Sequence, residues 1–242
     1  FNQSLVDPND NSLAQAEWAM ISARIPITIQ SGLNVKCSHE SKVYKALELN
    51  DARESIHHAI DWICDMPFSL KPVFIGYEIS TSLLRDYDLS SNILGVGLKS
   101  HPNDPWMLNN RAYVNARINK LDEAEKDMEQ LEHCNKALSE SMSICKEATH
   151  GLIAYRRKDR EKGRKLYEQA ILRASTMKEN SEEIKVKAQI NMLREEIIFS
   201  NYQNTSALME LEQLVIPNEK LELVKLRNEV FDEMKKNEKN QG

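Results

Sequence analysis

Glycine and proline are scarce in this chain, at 7 each in 242 residues. Sandwiches and barrels spend such residues on their many turns, so the scarcity argues against a mostly β architecture and for helices. Aromatic residues make up 6%, and β-branched runs are rare. No apolar stretch is long enough to span a bilayer, and no signal-peptide core stands near the start, so no membrane partner is expected. Close CxxC pairs are missing too. Cys37, Cys64, Cys134 and Cys145 are scattered, which fits reduced thiols in a cytoplasmic protein better than a disulfide framework, although an even count permits bridges. There is no P-loop, dinucleotide fingerprint, HExxH or nucleophile elbow, so neither an enzyme nor a cofactor is expected. A net charge of −5 excludes a strongly basic nucleic-acid binder by composition and leaves a local basic patch open.

What is there is periodic. After His101-Pro102 the chain reads DPWMLNNRAYVNARINKLDEAEKDMEQLE. Met107, Leu108, Ala112 and Ile118 give the apolar side of a first helix, Asn119-Lys120 breaks it, and Leu121, Ala124, Met128 and Leu131 give the side of a second. The preceding unit, KPVFIGYEISTSLLRDYDLSSNILGVGLKSHP, has Phe74, Tyr77 and Leu84 on its first helix and Tyr87, Leu94 and Leu98 on its second. Ser90 before Leu94 repeats the small-then-bulky pair of Ala124 and Met128, one period of about 34 residues away. In the following unit Gly163 and Tyr167 take those places, with Gly151 on the first helix and Ala170 next. The few extra residues of that period are assigned to HCNKALSES, as a lengthened helix end or a loop.

A fourth unit places Ala188, Met192 and Glu195 along a long helix, with Ala207 and Leu211 as its small-bulky pair. Upstream, SKVYKALELNDARESIHHAIDWICDMP puts Ala46 and Leu49 on one helix and Ala52, Ile56, Ala59, Ile60 and Ile63 on the next. Pro217 is expected to start a closing helix whose charged later part suits the outer face of a terminal cap, with NEKNQG as a frayed tail. The expected division is 1–41, an N-terminal helix and irregular segment; 42–216, helical repeats; and 217–242, the capping helix and tail. LVDPND near the start parallels the turn around HPNDP, so the chain is expected to continue a repeat whose body lies upstream.

These segments resemble tetratricopeptide (TPR) motifs. DYDLSSNILGVGLKSHPNDPWMLNNRAYVNARINKLDEAEKDM looks like two in succession and ATHGLIAYRRKDREKGRKLYEQAI like a third. The resemblance covers Lys42 to Leu214 and is strongest from Phe74 to Ala174. It implies an all-α fold, a right-handed superhelix of antiparallel helix pairs whose first helices line a concave groove. It also implies a non-catalytic scaffold or interaction module that binds a peptide or helix there. More narrowly, DMPFSLKP followed by these segments is similar to the TPR region of bacterial conflict proteins that carry a PIN-like nuclease domain upstream. That likeness implies a nuclease-linked, nucleic-acid-contacting role for a longer protein. The acidic metal cluster of such a domain has no counterpart in this chain.

On the TPR reading, Trp106, Asn109, Tyr113, Arg117, Leu152, Tyr155 and Arg156 face the groove. The row lacks the lysines with which TPR domains grip a chaperone's C-terminal carboxylate. Asn109 suits an extended peptide because a carboxamide donates and accepts at once, or it satisfies groups within its own repeat. Trp106 is read first as packing between repeats and second as an anchor for a partner. The run RRKDREKGRK offers a basic patch of Arg157, Lys158, Arg160, Arg164 and Lys165, which reads as a solvated turn unless it joins Arg117 in one continuous stripe. His57 and Asp61, four apart on a helix, could face a metal together. Two ligands do not make a site, so no metal is expected and the pair is read as a polar helix face. Self-association through exposed repeat edges is a further option. Replacing Tyr113 and Arg117 by alanine is expected to weaken partner binding without unfolding the array.

Overall fold

In a computed structural model the chain is described over residues 38–134, 137–178, 181–217 and 220–241. The expectations for 1–37, including the N-terminal helix, most of the irregular segment and Cys37, lie outside those residues. Among the described residues the chain is helical throughout, without a strand. The helices are α1 (His39–Glu48), α2 (Ala52–Asp65), α3 (Leu70–Glu78, running on into a π-turn over Ile79–Leu83), α4 (Tyr87–Ser100), α5 (Pro105–Arg117) and α6 (Leu121–Glu132). They continue with α7 (Glu140–Arg156), α8 (Arg160–Thr176), α9 (Ser181–Phe199), α10 (Thr205–Gln213) and α11 (Leu221–Gln241). Two compact units divide between Pro102 and Asn103. No helix among the described residues is long and apolar enough to cross a membrane.

Local chemistry sets the helix starts. Asp51, Asp86, Asp104 and Asp159 each accept a hydrogen bond from the backbone N–H three residues on, at 2.9–3.1 Å. Ser139 and Asn204 do the same for Met142 and Ala207. Each cap satisfies a donor that a helix leaves unpaired and contributes about 1 kcal/mol.

One junction recurs four times. A first helix ends, one non-glycine residue turns to positive φ, and the next residue caps the second helix. The turning residues are Asn50 (φ 57°), Arg85 (54°), Asn119 (59°) and Lys158 (68°). The caps that follow are Asp51, Asp86, Lys120 and Asp159. Their backbone N–H groups reach back to the carbonyls of Ala46, Ser80, Asn115 and Ala154. The second junction reaches one residue further because the π-turn adds a residue to that helix. Four residues beyond each cap stand Ser55, Ser90, Ala124 and Gly163, and four beyond those Ala59, Leu94, Met128 and Tyr167, all buried. Consecutive pairing of helices is therefore written into backbone and packing alike.

In the first unit α1 packs on α2, α2 on α3 and α3 on α4. Val43, Ile56, Ala59, Ile63, Val73, Ile79, Ile93 and Leu94 are buried there. Ser55 Oγ donates to the Val43 carbonyl at 3.1 Å, tying α2 to α1. Leu49, expected on the apolar side of α1, is instead 70% exposed. The helix has already ended at Glu48, and the turn toward Asn50 swings Leu49 outward.

In the second unit α5 pairs with α6 and α7 with α8, while α5, α7 and α9 pack in succession. Gly151 of α7 and Gly163 of α8 face each other: a Cβ on Gly163 would stand 2.5 Å from the Tyr155 ring and 3.0 Å from the Gly151 carbonyl. Only bare backbone fits at that crossing. The connection from α6 to α7 spans 133–139, where the extra residues of this period were expected; 135 and 136 fall outside the description.

Two expectations for the end of the chain change. The closing helix begins at Leu221, not at Pro217, which sits in a short 3₁₀ turn. It also continues to Gln241, through the tail expected to fray. Nor is it only a polar cap: Leu223 and Val230 are buried, with Leu226, Phe231 and Met234 packed beside them, in one core with Val186, Ile190, Leu193 and Ile197 of α9.

Candidate functional site

The residues expected to face a groove come from α5 and α7, and the chain itself meets most of them. The reason lies in α9, whose faces are nearly all covered. Val186, Ala188, Ile190, Asn191, Leu193, Arg194, Glu195, Glu196 and Ile197 are buried, because α7, α8, α10 and α11 all pack against this one helix. Such a helix cannot be purely apolar if it follows two helices that present arginines. It carries matched charge instead.

Arg117, at the end of α5, has a side chain 1% exposed. Its Nη2 donates to Glu229 Oε1 of α11 at 2.6 Å, and Glu233 Oε1 lies 3.5 Å away. Its Nη1 donates to the Tyr113 hydroxyl at 2.9 Å, and that hydroxyl donates to Asn191 Oδ1 at 3.2 Å. From α9, Arg194 donates to both oxygens of Glu233 at 2.8 and 3.0 Å and to Glu195 at 2.7 Å. Arg156, at the end of α7, donates through Nη2 to Glu195 Oε1 at 2.9 Å. Tyr155 donates to Glu196 Oε1 at 2.6 Å, and Arg160 donates to Glu196 through Nε and Nη2. Four guanidinium groups thus meet four carboxylates across five helices. Each carboxylate is held by charged donors, the condition under which buried charge is tolerable.

The remaining expected groove residues fall into two groups. Leu152 and Tyr155 are 1% and 2% exposed, sealed within the packed helices. Asn109 is buried, and its Oδ1 has no hydrogen-bond donor. Trp106, read first as packing between repeats, is 39% exposed: it stands in the first turn of α5, beside the capping Asp104, where the helix has just emerged.

The basic run is not one stripe. Arg117 is buried against α11, and Arg157 pairs with Asp122 and Glu125 of α6 at 2.5 and 2.6 Å. Arg160 pairs with Glu196, and Arg164 with Glu168 and Glu196. Lys158 and Lys165 are exposed. The arginines expected to offer charge to phosphates thus already face carboxylates, and their field is largely cancelled where it arises.

Sequence reasoning passed over Arg194, Glu229 and Glu233. A signal for the latter two existed: Leu223, Leu226, Val230 and Met234 recur at helical spacing, so the charged closing segment had a face to bury. Glu229 flanks that face.

Glu196 has a definite pH signature. Burial acts to raise its carboxyl, but the hydrogen bonds from Arg160 and Tyr155 outweigh burial and hold it below the ordinary 4.5. A depressed folded value gives stability that is fully present above 4.5 and is lost as pH falls through the folded value. The stability gap between the wild type and Glu196→Gln is therefore expected to be largest near neutrality and to close on acidification below about pH 4.5. Thermal melts of both proteins across that range measure it; a gap that does not vary with pH would show that the carboxylate charge contributes nothing. Burial, first, and the Glu196 hydrogen bond push the Tyr155 hydroxyl far above its usual range, so it stays a donor.

Set against protein-family models, curated proteins and solved structures, the chain matches none. The charged row and the helix that meets it therefore carry the functional reading.

Proposed function

We propose that this chain is a non-catalytic, TPR-like interaction module whose first-helix row, formed by α5, α7 and α9, takes an amphipathic helix bearing closely spaced acidic residues. On this reading the helix pairs wind as a right-handed superhelix, and α11 is the occupant of the row. The supporting observation is the convergence of Arg117 and Arg194, from two different first helices, on Glu229 and Glu233, one turn apart in α11. Arginine forks and an acidic pair at that spacing recognise a helix, with its apolar stripe alongside. A partner would be a protein segment of the same chemistry, competing with α11.

The test uses a fluorescein-labelled peptide of residues 221–241 and the full chain carrying Glu229→Ala with Glu233→Ala. Anisotropy is expected to report saturable binding to this variant, much weaker binding to the wild type, and loss of binding when Arg194→Ala is added. A variant that keeps its helical circular dichroism yet binds no peptide would overturn the reading.

A further inference from the structure

The first unit holds a second constellation, independent of the charged row. One ring nitrogen each of His39 and His58, and a carboxylate oxygen of Asp61, lie within 4.8 Å of one another. His39 opens α1, while His58 and Asp61 stand one turn apart on α2. The pairing of α1 with α2 brings the third residue to the other two. In the linear chain it is far from them, which is why His57 and Asp61 alone looked insufficient. His57 itself is exposed.

The surroundings of the two rings make the cluster more than a coincidence of polar residues. His39 Nε2 lies 2.9 Å from Asp65 Oδ2, and His58 Nε2 lies 3.2 Å from Glu54 Oε1. A carboxylate beside Nε2 favours the proton there and leaves Nδ1 as a bare lone pair. Both Nδ1 atoms are buried and have no hydrogen-bond partner. Two shielded lone pairs without a donor, next to an anionic carboxylate, are an unfavourable grouping unless a cation draws them together. Imidazole bound on one nitrogen and tied to a carboxylate on the other is how metal-ligating histidines are held.

We propose that His39, His58 and Asp61 bind a divalent transition-metal ion of the zinc class. Two imidazole nitrogens and one carboxylate oxygen suit Zn2+ in hardness and charge, and three protein ligands leave a position for water. Tetrahedral ligands at zinc distances stand about 3.3 Å apart. Asp61, the exposed member of the three, has the freedom to turn its carboxylate toward the rings. Asp65 and Glu54 are positioning residues that orient the rings. The ion would staple the start of α1 to the middle of α2.

Tag-free full chain, stripped of metal, is titrated with Co2+ as a spectroscopic probe and then with Zn2+ in competition. The expected result is one saturable site with visible ligand-field absorption, displaced by Zn2+, and a rise in thermal midpoint with Zn2+. His58→Gln and Asp61→Asn are expected to abolish the absorption while circular dichroism is unchanged. Asp65→Asn should weaken affinity about 10–100-fold, and His57→Gln should leave it unaltered within about twofold. His57→Gln is the control for stray histidine binding, because the folded first unit keeps that ring out of the cluster. Absence of saturable binding, retention of the absorption in His58→Gln, or its loss in His57→Gln would each overturn the proposal.

Discussion

Arg117→Met is expected to destabilise the second unit by about 3–5 kcal/mol, as much as truncating a large apolar side chain in its core. The substitution removes a guanidinium whose side chain is 1% exposed and takes from the buried Glu229 the charged hydrogen bond that Arg117 donates at 2.6 Å. The cost arises from keeping that carboxylate buried with a charged donor removed and not from a lost attraction, since an ion pair in the interior roughly balances its own desolvation. Arg117→Met with Glu229→Met is therefore expected to recover most of the loss, because both charges are gone and two flexible apolar side chains fill the space. Urea unfolding of the two singles and the double completes the cycle. A single substitution costing under about 1 kcal/mol would mean that water reaches the pair and the row is open. The sequence-based expectation that Tyr113→Ala with Arg117→Ala leaves the array intact changes accordingly. Arg117 is engaged inside the molecule, so the double substitution strikes a bond to α11 before it reaches any partner.

Gly163→Ala should lower stability by about 1–2 kcal/mol net, and Gly163→Leu by about 3 kcal/mol or more. In an ordinary helix interior alanine in place of glycine gains about 1 kcal/mol. Here the new Cβ would meet Tyr155 at 2.5 and 2.9 Å, at ring atoms close to the backbone, and the Gly151 carbonyl at 3.0 Å. None of these is the loose end of a flexible side chain. α7 and α8 must separate, and Tyr167, fully buried between them, loses its packing. Gly76→Ala is the internal control. Its nearest neighbours are two methyl carbons of Ile93 at 3.4 Å, so helix propensity is free to act and the change is neutral or stabilising by up to about 1 kcal/mol. Melting all three variants side by side decides the matter: equal effects at Gly76 and Gly163 would show that the close crossing does not exist.

The small-bulky pairs were legible because they are local. Ser90 with Leu94, Ala124 with Met128, Gly163 with Tyr167 and Ala207 with Leu211 each lie one helical turn apart, and all are buried. The same holds for the capping aspartates. What was illegible depends on which helix lies beside which. The bond from Arg117 to Glu229 spans 112 residues, and no periodicity forecasts a partner at that range. His39 is hidden from a linear reading for the same reason. Lys158 and Arg85 at positive φ were missed on other grounds: glycine or asparagine is the usual mark of that conformation, and here the recurring junction imposes it on residues that resist it. α9 misled by lacking an apolar stripe, since a helix covered on nearly every side has none to show.

The tie between α5 and α11 also bears on how the second unit comes apart. In a chain of repeats that touch only their neighbours, an end helix peels away while the rest holds, and folding can begin anywhere and spread. A buried contact between the first helix of the unit and its last closes a loop around everything between. The terminal helix then cannot peel without exposing an ion pair near the unit's beginning, and the loop must be closed late, at an entropic cost that local helix pairs never meet. The helices of this unit pair in chain order, but the last of them makes the unit come apart as a ring would.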